Sequence, residues 1–314
     1  MTVELRALID AELKREAPPA VAALARRLAA RARGGAAAVL YYGSSLRTGD
    51  LDGVLDFYIL VDRVSDWPAS RFAAAANRVL PPNVGYLDQS AQAAGQNGLR
   101  AKYAVMSVAQ FRRAMSVERI DTTLWARFSQ PCQCVHARDA RSFEAMRDAV
   151  CDAVVAASQW AARLGPASAD GATFWRRLYQ RTYAAEVRVE RAGRANDLLA
   201  GEETRYCRLL PLAWQAGGIA FVPQPDGRLE PKLSASERAH AEAAWQRRQR
   251  LGRPLNLARL LKAALTFDNA TDYVAWKVER HSGYRIEPTE FQRRHPLLAA
   301  PAIYWRLRRR GVLR

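Results

Sequence analysis

A glycine–serine corner and a nearby aspartate are the residues of this chain best suited to phosphate chemistry. The stretch Tyr42-Gly43-Ser44-Ser45 ends one apolar run, and Asp56 lies at the start of the next, about a dozen residues later. Because glycine has no Cβ, backbone N–H groups and the Ser44 hydroxyl can approach a triphosphate closely at such a corner. A carboxylate on the adjacent strand can hold Mg²⁺, which bridges phosphate oxygens and neutralises their charge. An ordinary turn beside a strand-edge acid gives the same short motif, so both interpretations stay open at this point.

Two buried strands must position these residues. The run 36–42 is apolar and bounded by glycines, and the run 55–61 is rich in β-formers, so each predicts a strand. Further predicted elements are strands over 100–106 and 132–136 and helices over 20–33, 71–80 and 108–115. The first half of the chain is therefore predicted to be α/β.

After about residue 140 the pattern becomes helical. Helices are predicted over 142–164, 172–191 and 234–250, the last opening on the capping box Ser234-x-x-Glu237. A short hairpin between residues 218 and 229 interrupts them, and helices with one hairpin suggest a winged-helix-like unit. A further helix is predicted from Asp268 to Gly283, followed by a basic and aromatic terminal segment.

The charge balance restricts the class of partner. Forty-eight Lys and Arg stand against 31 Asp and Glu, which gives a net charge of +17 and an isoelectric point near 10.4. Such a surface attracts polyanions, namely nucleic acid, anionic lipid or a phosphate-rich substrate. Composition alone does not choose among these three.

The arrangement of the corner and the aspartate resembles the start of the active site in the DNA polymerase β-like nucleotidyltransferase superfamily. Those enzymes usually carry a second acid two positions after the first, where this chain has Tyr58. The second metal-binding carboxylate would then come from elsewhere. The candidates are Asp50, Asp52, Asp62 and the remote Glu186.

The residues around the motif resemble the mitochondrial-type phosphatidate cytidylyltransferases, also called the translocator assembly and maintenance family. The similar stretches are Tyr42-Gly43-Ser44, Val54–Asp62 with Trp67, Lys102–Val105 and Thr182–Arg188. That family also lacks the second acid of the pair. In this chain Ser45 replaces a family glycine and Glu186 replaces a family aspartate. The resemblance runs in patches from about residue 40 to residue 210.

The resemblance implies both an architecture and a reaction. The architecture is α/β (α+β), with a polymerase β-like nucleotidyltransferase domain over 1–140, a mostly helical, winged-helix-like domain over 141–265 and a basic amphipathic membrane-contacting segment over 266–314. In the reaction, CTP and phosphatidate would give CDP-diacylglycerol and pyrophosphate with Mg²⁺ as cofactor. Because the phosphate of phosphatidate is already ionised, positioning and charge neutralisation would carry most of the catalysis.

Residue roles follow from the same resemblance. The implied catalytic set is Asp56, Lys102, Glu186 and Arg188, and the implied nucleotide-binding set is Gly43, Ser44 and Ser45. Asp56 would hold the metal and Lys102 would contact phosphate. Glu186 would be a second metal ligand or a network acid, and Arg188 would clamp a phosphate. The competing explanation for Lys102 is a solvated lysine at the end of a strand. The competing explanation for Glu186 and Arg188 is a charged pair on one helix.

Phosphatidate lies in a bilayer, so an enzyme acting on it must reach the membrane interface. Near the C-terminus, aromatic and apolar residues are mixed with arginines, as in interfacial helices. The residues predicted to contact an anionic membrane surface are Trp305, Arg306, Arg308, Arg309 and Arg310. No export signal and no run of ~20 apolar residues is found. We therefore expect a cytoplasmic protein that binds the inner membrane peripherally.

Two other functions fit the same residues. One is a nucleotidyltransferase that acts on RNA or another acceptor, although the chain lacks an aromatic platform for single strands. The other is a non-catalytic basic protein that binds a membrane or nucleic acid on the same scaffold, which Tyr58 and Ser45 would favour.

Overall fold

The structure, a computed structural model, describes residues 2–89, 98–185, 199–267, 269–282, 288–294 and 305. In these residues the chain is a mixed α/β protein in which a five-stranded mixed sheet carries helices on both faces. A predominantly helical part follows and includes a two-stranded hairpin. The α/β prediction is confirmed at this level.

The strands of the large sheet are β1 (Ala38–Tyr42), β2 (Val54–Val61), β3 (Asn83–Asp88), β4 (Arg100–Ser107) and β5 (Cys132–Ala137). Their spatial order is β3-β4-β2-β1-β5; β2 and β4 are parallel and the other neighbours are antiparallel. Four of the five strands are confirmed predictions. The sequence analysis omitted β3, which follows Pro81-Pro82 and contains Asn, Gly and Asp among its six residues.

The helices of the first part are α1 (Val3–Leu13), α2 (Pro19–Ala30), α3 (Ser44–Thr48), α4 (Arg71–Val79), α5 (Val108–Ala114) and α6 (Thr123–Phe128). Helix α2 has proline at its first position, where the missing N–H costs no hydrogen bond. Its buried residues Val21, Leu24 and Leu28 join Val39 and Phe57 in a core on one face of the sheet.

The second part contains α7 (Ala140–Leu164), α8 (Gly171–Ala185), α9 (Glu203–Ala216), α10 (Ala235–Thr266), α11 (Ala270–Ser282) and α12 (Glu290–Arg294). Strands β6 (Phe221–Pro223) and β7 (Leu229–Pro231) form the predicted hairpin. Helix α9, which contains Pro211, was not predicted. The part of the predicted helix 172–191 beyond Ala185 lies outside the described residues.

Helix α10 corrects one sequence-based boundary. It begins on the predicted capping box, in which Ser234 Oγ accepts the Glu237 N–H, but it does not end at Arg250. It continues through Pro254 to Thr266. Gly252 and Pro254 suggested an end, yet contacts made further along the helix hold its second half against the sheet, as described below.

One hydrophobic core runs from the second face of the sheet into the helical part. Leu40 and Tyr58 belong to the same buried cluster as residues of α6 to α10, including fully buried tryptophans. These are Trp125, Trp175, Trp214 and Trp245. The cluster crosses position 140 without a break, and the division into domains stays a prediction. None of the described helices combines the length and the apolar character needed to cross a membrane.

Candidate active site

The register of the sheet brings the predicted phosphate corner and the predicted metal ligand together. Asp56 of β2 lies opposite Tyr42 of β1 on one side and opposite Lys102 of β4 on the other. Residues paired across neighbouring strands point to the same face of a sheet. Gly43, Asp56 and Lys102 therefore meet at one edge of three adjacent strands, and all three line one cavity.

Gly43 has a backbone conformation that requires glycine. Its φ is 98° and its ψ is −161°, a region that is essentially closed to residues with a side chain. A Cβ at this position would come within 2.9 Å of Asp56 Oδ2. The absence of a side chain at Gly43 thus keeps the space beside the carboxylate open, where a phosphate or an ion can approach.

The two serines after the corner occupy different environments. Ser44 is exposed, and its carbonyl accepts a hydrogen bond from Thr48 Oγ1 at 3.0 Å. Ser45 is buried, with its hydroxyl beside the phenol of Tyr41. Burial raises the pKa of Tyr41, the Ser45 hydroxyl opposes that shift, and the charge of Asp56 reinforces it. Neither serine lines the cavity, and the nucleotide-binding roles of Ser44 and Ser45 stay predictions.

The cavity has a volume of about 440 Å³, within the range of small-molecule sites. Its floor is the sheet around Asp56, and its walls include residues of α6, α8 and α10. Among the residues that the structure describes, the charged ones that line it are Arg47, Asp56, Lys102, Arg127 and Arg259. Four cations and one carboxylate favour a ligand with several negative charges.

Tyr58 occupies the position at which polymerase β-like nucleotidyltransferases, which the motif resembles, carry their second acid. It lies two residues after Asp56 on the same strand and therefore on the same face. Its hydroxyl accepts a hydrogen bond of 3.2 Å from Arg127 Nη1, and the guanidinium lies 5.3 Å from the ring centre of Tyr42. Burial raises the pKa of Tyr58, and the charge of Arg127 and its hydrogen bond oppose that shift. Tyr58 therefore binds the cationic Arg127 in the cavity, where a second acid would have added negative charge.

Helix α10 supplies another cavity arginine. Arg259 Nη2 donates to Asp121 Oδ2 at 2.6 Å, and the two side chains are only 20% and 12% exposed. Burial raises the pKa of Asp121, but the hydrogen bond and the charge of Arg259 outweigh it and the net shift is downward. Three residues further on, Lys262 Nζ donates to the carbonyl oxygens of Leu80 and Pro82. These contacts fix α10 beside the cavity.

Helix α11 packs against the same edge of the sheet. The Tyr273 ring lies 5.4 Å from the Tyr86 ring, and Lys102 Nζ lies 6.0 Å from the Tyr273 ring centre. Arg280 Nη1 lies 3.3 Å from where a Cβ of Gly53 would stand, three residues before Asp56. The first helix of the predicted membrane-contacting segment is therefore also a neighbour of the candidate site.

The other predicted residues are placed elsewhere or lie outside the described residues. Asp62 pairs with Arg138 at 2.6 Å, beyond the far end of β2, and Asp50 Oδ1 accepts the Asp52 N–H at 2.8 Å in an exposed turn. None of these three acids lines the cavity. Trp305 is 56% exposed. Glu186, Arg188, Arg306, Arg308, Arg309 and Arg310 lie outside the described residues.

The donor set fits a magnesium ion that arrives with a nucleotide. Within the described ranges, no three His, Cys, Asp or Glu side chains converge to form a metal site. Mg²⁺, however, is commonly held by one or two carboxylates together with substrate phosphates and water. Asp56, beside the open space at Gly43, can supply the one protein carboxylate of such a set.

Three cations of the described cavity lining, Arg47, Arg127 and Arg259, were not predicted from the sequence. Each lies on a helix, and nothing in its immediate sequence distinguishes it from the many surface arginines of this basic chain.

A scan against models of known protein families returned no match to this chain, and a search of curated proteins returned none either.

Proposed function

We propose that this protein is a magnesium-dependent nucleotidyltransferase that transfers the cytidylyl group of CTP to phosphatidate, giving CDP-diacylglycerol and pyrophosphate. One observation carries the proposal. Tyr42 at the glycine corner, Asp56 and Lys102 are in direct register on three adjacent strands, and the cavity beside them is lined, among the described residues, by four cations and one carboxylate. The finer fold proposed with it is a polymerase β-like transferase domain followed by a winged-helix-like unit.

The reaction needs little acid–base chemistry. An ionised oxygen of the phosphatidate phosphate attacks the α-phosphorus of CTP and forms a new P–O–P linkage. The bond from the α-phosphorus to the bridging oxygen breaks, and pyrophosphate leaves with that electron pair. Since the attacking oxygen is already ionised, the protein's contribution is to align two anions and neutralise their charge.

The cavity residues match these tasks. Gly43 lets the phosphates approach Asp56, whose carboxylate would hold Mg²⁺. When bound, the ion would neutralise charge on the phosphates. Lys102 and the cavity arginines would hold phosphate oxygens, for which the planar guanidinium group is well suited. The choice of cytidine and of a lipid acceptor rests on the family resemblance, since no base-reading residue is identified.

A transfer assay tests the proposal. The purified protein is incubated with CTP labelled at the α-phosphate, Mg²⁺, and either phosphatidate vesicles or RNA, and the label is followed into extracted lipid or into RNA. We expect label in the lipid fraction together with release of pyrophosphate. Label in RNA would support the alternative acceptor, and no transfer to either would support a non-catalytic binding protein.

A matched pair of aspartate variants tests the metal assignment. Asp56→Ala should lower the transfer rate by roughly 100-fold or more, because the phosphates lose their protein-held cation. Asp62→Ala removes a carboxylate of the same strand region that pairs with Arg138 away from the cavity, and should leave the rate unchanged. Equal rates for the two variants would contradict the role of Asp56.

A further inference from the structure

In the second half of α10, polar residues face the protein and leucines face outward, which is the reverse of an ordinary surface helix. Its polar residues Asn256 and Arg259 line the cavity, and Lys262 binds carbonyl oxygens next to β3. Three of its leucines point away from the cavity. Leu257, Leu261 and Leu265 are 56%, 62% and 59% exposed, and their four-residue spacing places them on one face. A helix packed on a protein in water normally buries its apolar face and exposes its polar one.

Exposed leucines are a feature of this helix. Among the leucines that the structure describes, the largely exposed ones all lie on α10. They are Leu251, Leu257, Leu260, Leu261 and Leu265. Contiguous exposed apolar surface of this kind marks a site of contact with an apolar partner or with a membrane.

Helix α4 extends the apolar surface. Phe72 and Val79 are 59% and 86% exposed, and their separation of two helical turns places them on one side of α4. Lys262 Nζ of α10 donates to the carbonyl oxygen of Leu80, at the end of α4, so the two helices are directly connected. Two neighbouring helices from distant parts of the sequence therefore each carry an exposed apolar stretch.

The charges around the leucines identify the partner. The exposed arginines of α4 are Arg71 and Arg78, and those of α10 closest in sequence to the exposed leucines are Arg250 and Arg253. Neither α4 nor the stretch of α10 from 243 to 266 contains an Asp or Glu. Glu118, from another element, lines a cavity together with Arg78 and Val79. Leucines interspersed with arginines, on helical stretches that carry no acid of their own, complement the headgroup and upper acyl region of an anionic bilayer.

We propose that this docking surface, made of Phe72, Val79, Leu257, Leu261 and Leu265 with the four arginines, lies on an anionic phospholipid bilayer. The leucines enter the boundary between headgroups and acyl chains, and the arginines contact lipid phosphates. The surface is separate in sequence from the predicted C-terminal contact at Trp305, and its placement follows from α4 and α10 alone.

The docking surface also leads into the cavity. Leu260 is 59% exposed and at the same time lines the cavity, so the cavity opens beside the exposed leucines. A lipid whose head group enters the cavity can leave its acyl chains in the bilayer at that opening. This delivery role rests on the proposed function, whereas the docking itself does not.

Vesicle binding tests the docking surface without any turnover. The vesicles contain phosphatidylcholine with or without phosphatidylglycerol, an anionic lipid that is not the proposed substrate. We expect the wild-type protein to sediment with the anionic vesicles. The triple variant Leu257→Gln, Leu261→Gln and Leu265→Gln should bind them about 100-fold more weakly. A control pair, Val3→Gln and Val222→Gln, changes exposed apolar residues elsewhere and should bind as the wild type does. Equal binding by the triple variant and the control would overturn the proposal.

A fluorescent label distinguishes the bilayer from other partners. Cys207 is the exposed cysteine, so Cys207→Ser with Leu261→Cys directs an environment-sensitive dye to the docking surface. We expect a blue shift on addition of anionic vesicles, and none for the dye at Val222→Cys. A dye at 261 that is already shielded in buffer would overturn the proposal. Shielding that depends on protein concentration would identify a second copy as the partner, and shielding independent of concentration would identify another segment of this chain.

Short-chain, water-soluble phosphatidate separates docking from catalysis. The triple leucine variant should use it at the wild-type rate while losing about 100-fold with vesicles, which supports delivery from the bilayer. Loss of both activities in equal measure would overturn the delivery role. If the wild-type protein transfers no cytidylyl group but still binds vesicles through the leucines, the proposed function fails and the docking surface stands.

Discussion

Arg259 beside the cavity and Arg205 in the helical part both form ion pairs that are largely withdrawn from water, yet their surroundings differ. Arg205 Nε and Nη2 bind Glu12 Oε1 and Oε2 at 2.7 and 2.9 Å, and its Nη1 donates to the Ser129 carbonyl at 3.2 Å. It is enclosed by protein on all sides, with an exposed fraction of 8% for the side chain. Arg259 instead lines a cavity of about 440 Å³.

The same contrast separates Arg248 from Arg127. Arg248 donates to the carbonyl oxygens of Val117, Arg119 and Ala244, with its guanidinium 4.3 Å from the Trp160 ring centre. Arg127 binds a tyrosine hydroxyl and lines the cavity. Arginines surrounded by protein acceptors hold elements together, whereas under the proposed function those at the cavity wall would hold an anionic ligand. Substitutions should therefore lower stability in the first region and the transfer rate in the second.

The largest effect is expected for the ion pair of the helical part. Glu12→Ala leaves Arg205 buried without its carboxylate, which typically costs about 3–5 kcal/mol of unfolding free energy. Urea denaturation followed by circular dichroism measures the change. Transfer activity per folded molecule should be unchanged, and a variant that lost activity but not stability would break the distinction between the two regions.

Gly43→Ala should affect both properties. Its backbone conformation is strained for alanine by about 1–3 kcal/mol, and the new Cβ would crowd Asp56 Oδ2. The matched control is Gly49→Ala at the other end of α3, where φ is also positive, at 72°, but a Cβ would meet no atom within 4 Å. We expect both variants to unfold more easily and only Gly43→Ala to lose transfer activity. Loss of activity in the control would point to strain in α3 as the cause.

Arg127→Met should lower the transfer rate by about 10- to 100-fold, the range expected for loss of a charge-assisted contact to phosphate. Arg31→Met is its control, because Arg31 also donates to a tyrosine hydroxyl, that of Tyr103 at 2.9 Å, but does not line the cavity. Steady-state kinetics in CTP and in phosphatidate would show which substrate Arg127 holds. An equal loss in both variants would show that Arg127 holds elements together, as Arg205 and Arg248 do.

The smallest effect concerns the lysine that fixes α10. Burial lowers the pKa of Lys262 to about 8, and the charge of Arg259 adds to the shift. The unfolded chain then binds more protons than the folded one above about pH 8, up to the ordinary lysine pKa of about 10.4. The unfolding free energy of the wild type, relative to Lys262→Met, should therefore rise with pH across that interval. A flat difference between pH 7 and 10 would contradict the shifted pKa.

Sequence patterns predicted most of the sheet because strand formation depends largely on local residues. The apolar run that became β1 is bounded by glycines, and β2, β4 and β5 have a β-forming composition. The same local logic failed at β3, where Asn, Gly and Asp weaken the pattern, and at the end of α10, where Pro254 suggested a stop. In both places tertiary contacts outweigh local preference, since β3 pairs with β4 and Lys262 binds the chain next to β3.

The corner at Gly43 and the carboxylate at Asp56 were candidates from the sequence because a glycine turn and an acid on the next strand suit phosphate and Mg²⁺, although an ordinary turn gives the same motif. Their direct register, and the place of Lys102 beside them, depends on strand order, which pairs β2 with β1 and β4. The cavity arginines gave no signal, because a guanidinium on a helix has the same local sequence whether it meets solvent, a carbonyl or a cavity.

The sequence by itself determined the strongly basic charge and four of the five strands of the sheet, and it predicted residues suited to phosphate, since these follow from short-range conformational preference and side-chain chemistry. Only the tertiary structure decided which arginines line the cavity, which are enclosed by protein, and that the leucines of α10 face outward. Those properties arise from packing between residues far apart in the chain, as in the contact of Lys262 with Leu80. Local sequence does not encode such contacts one residue at a time.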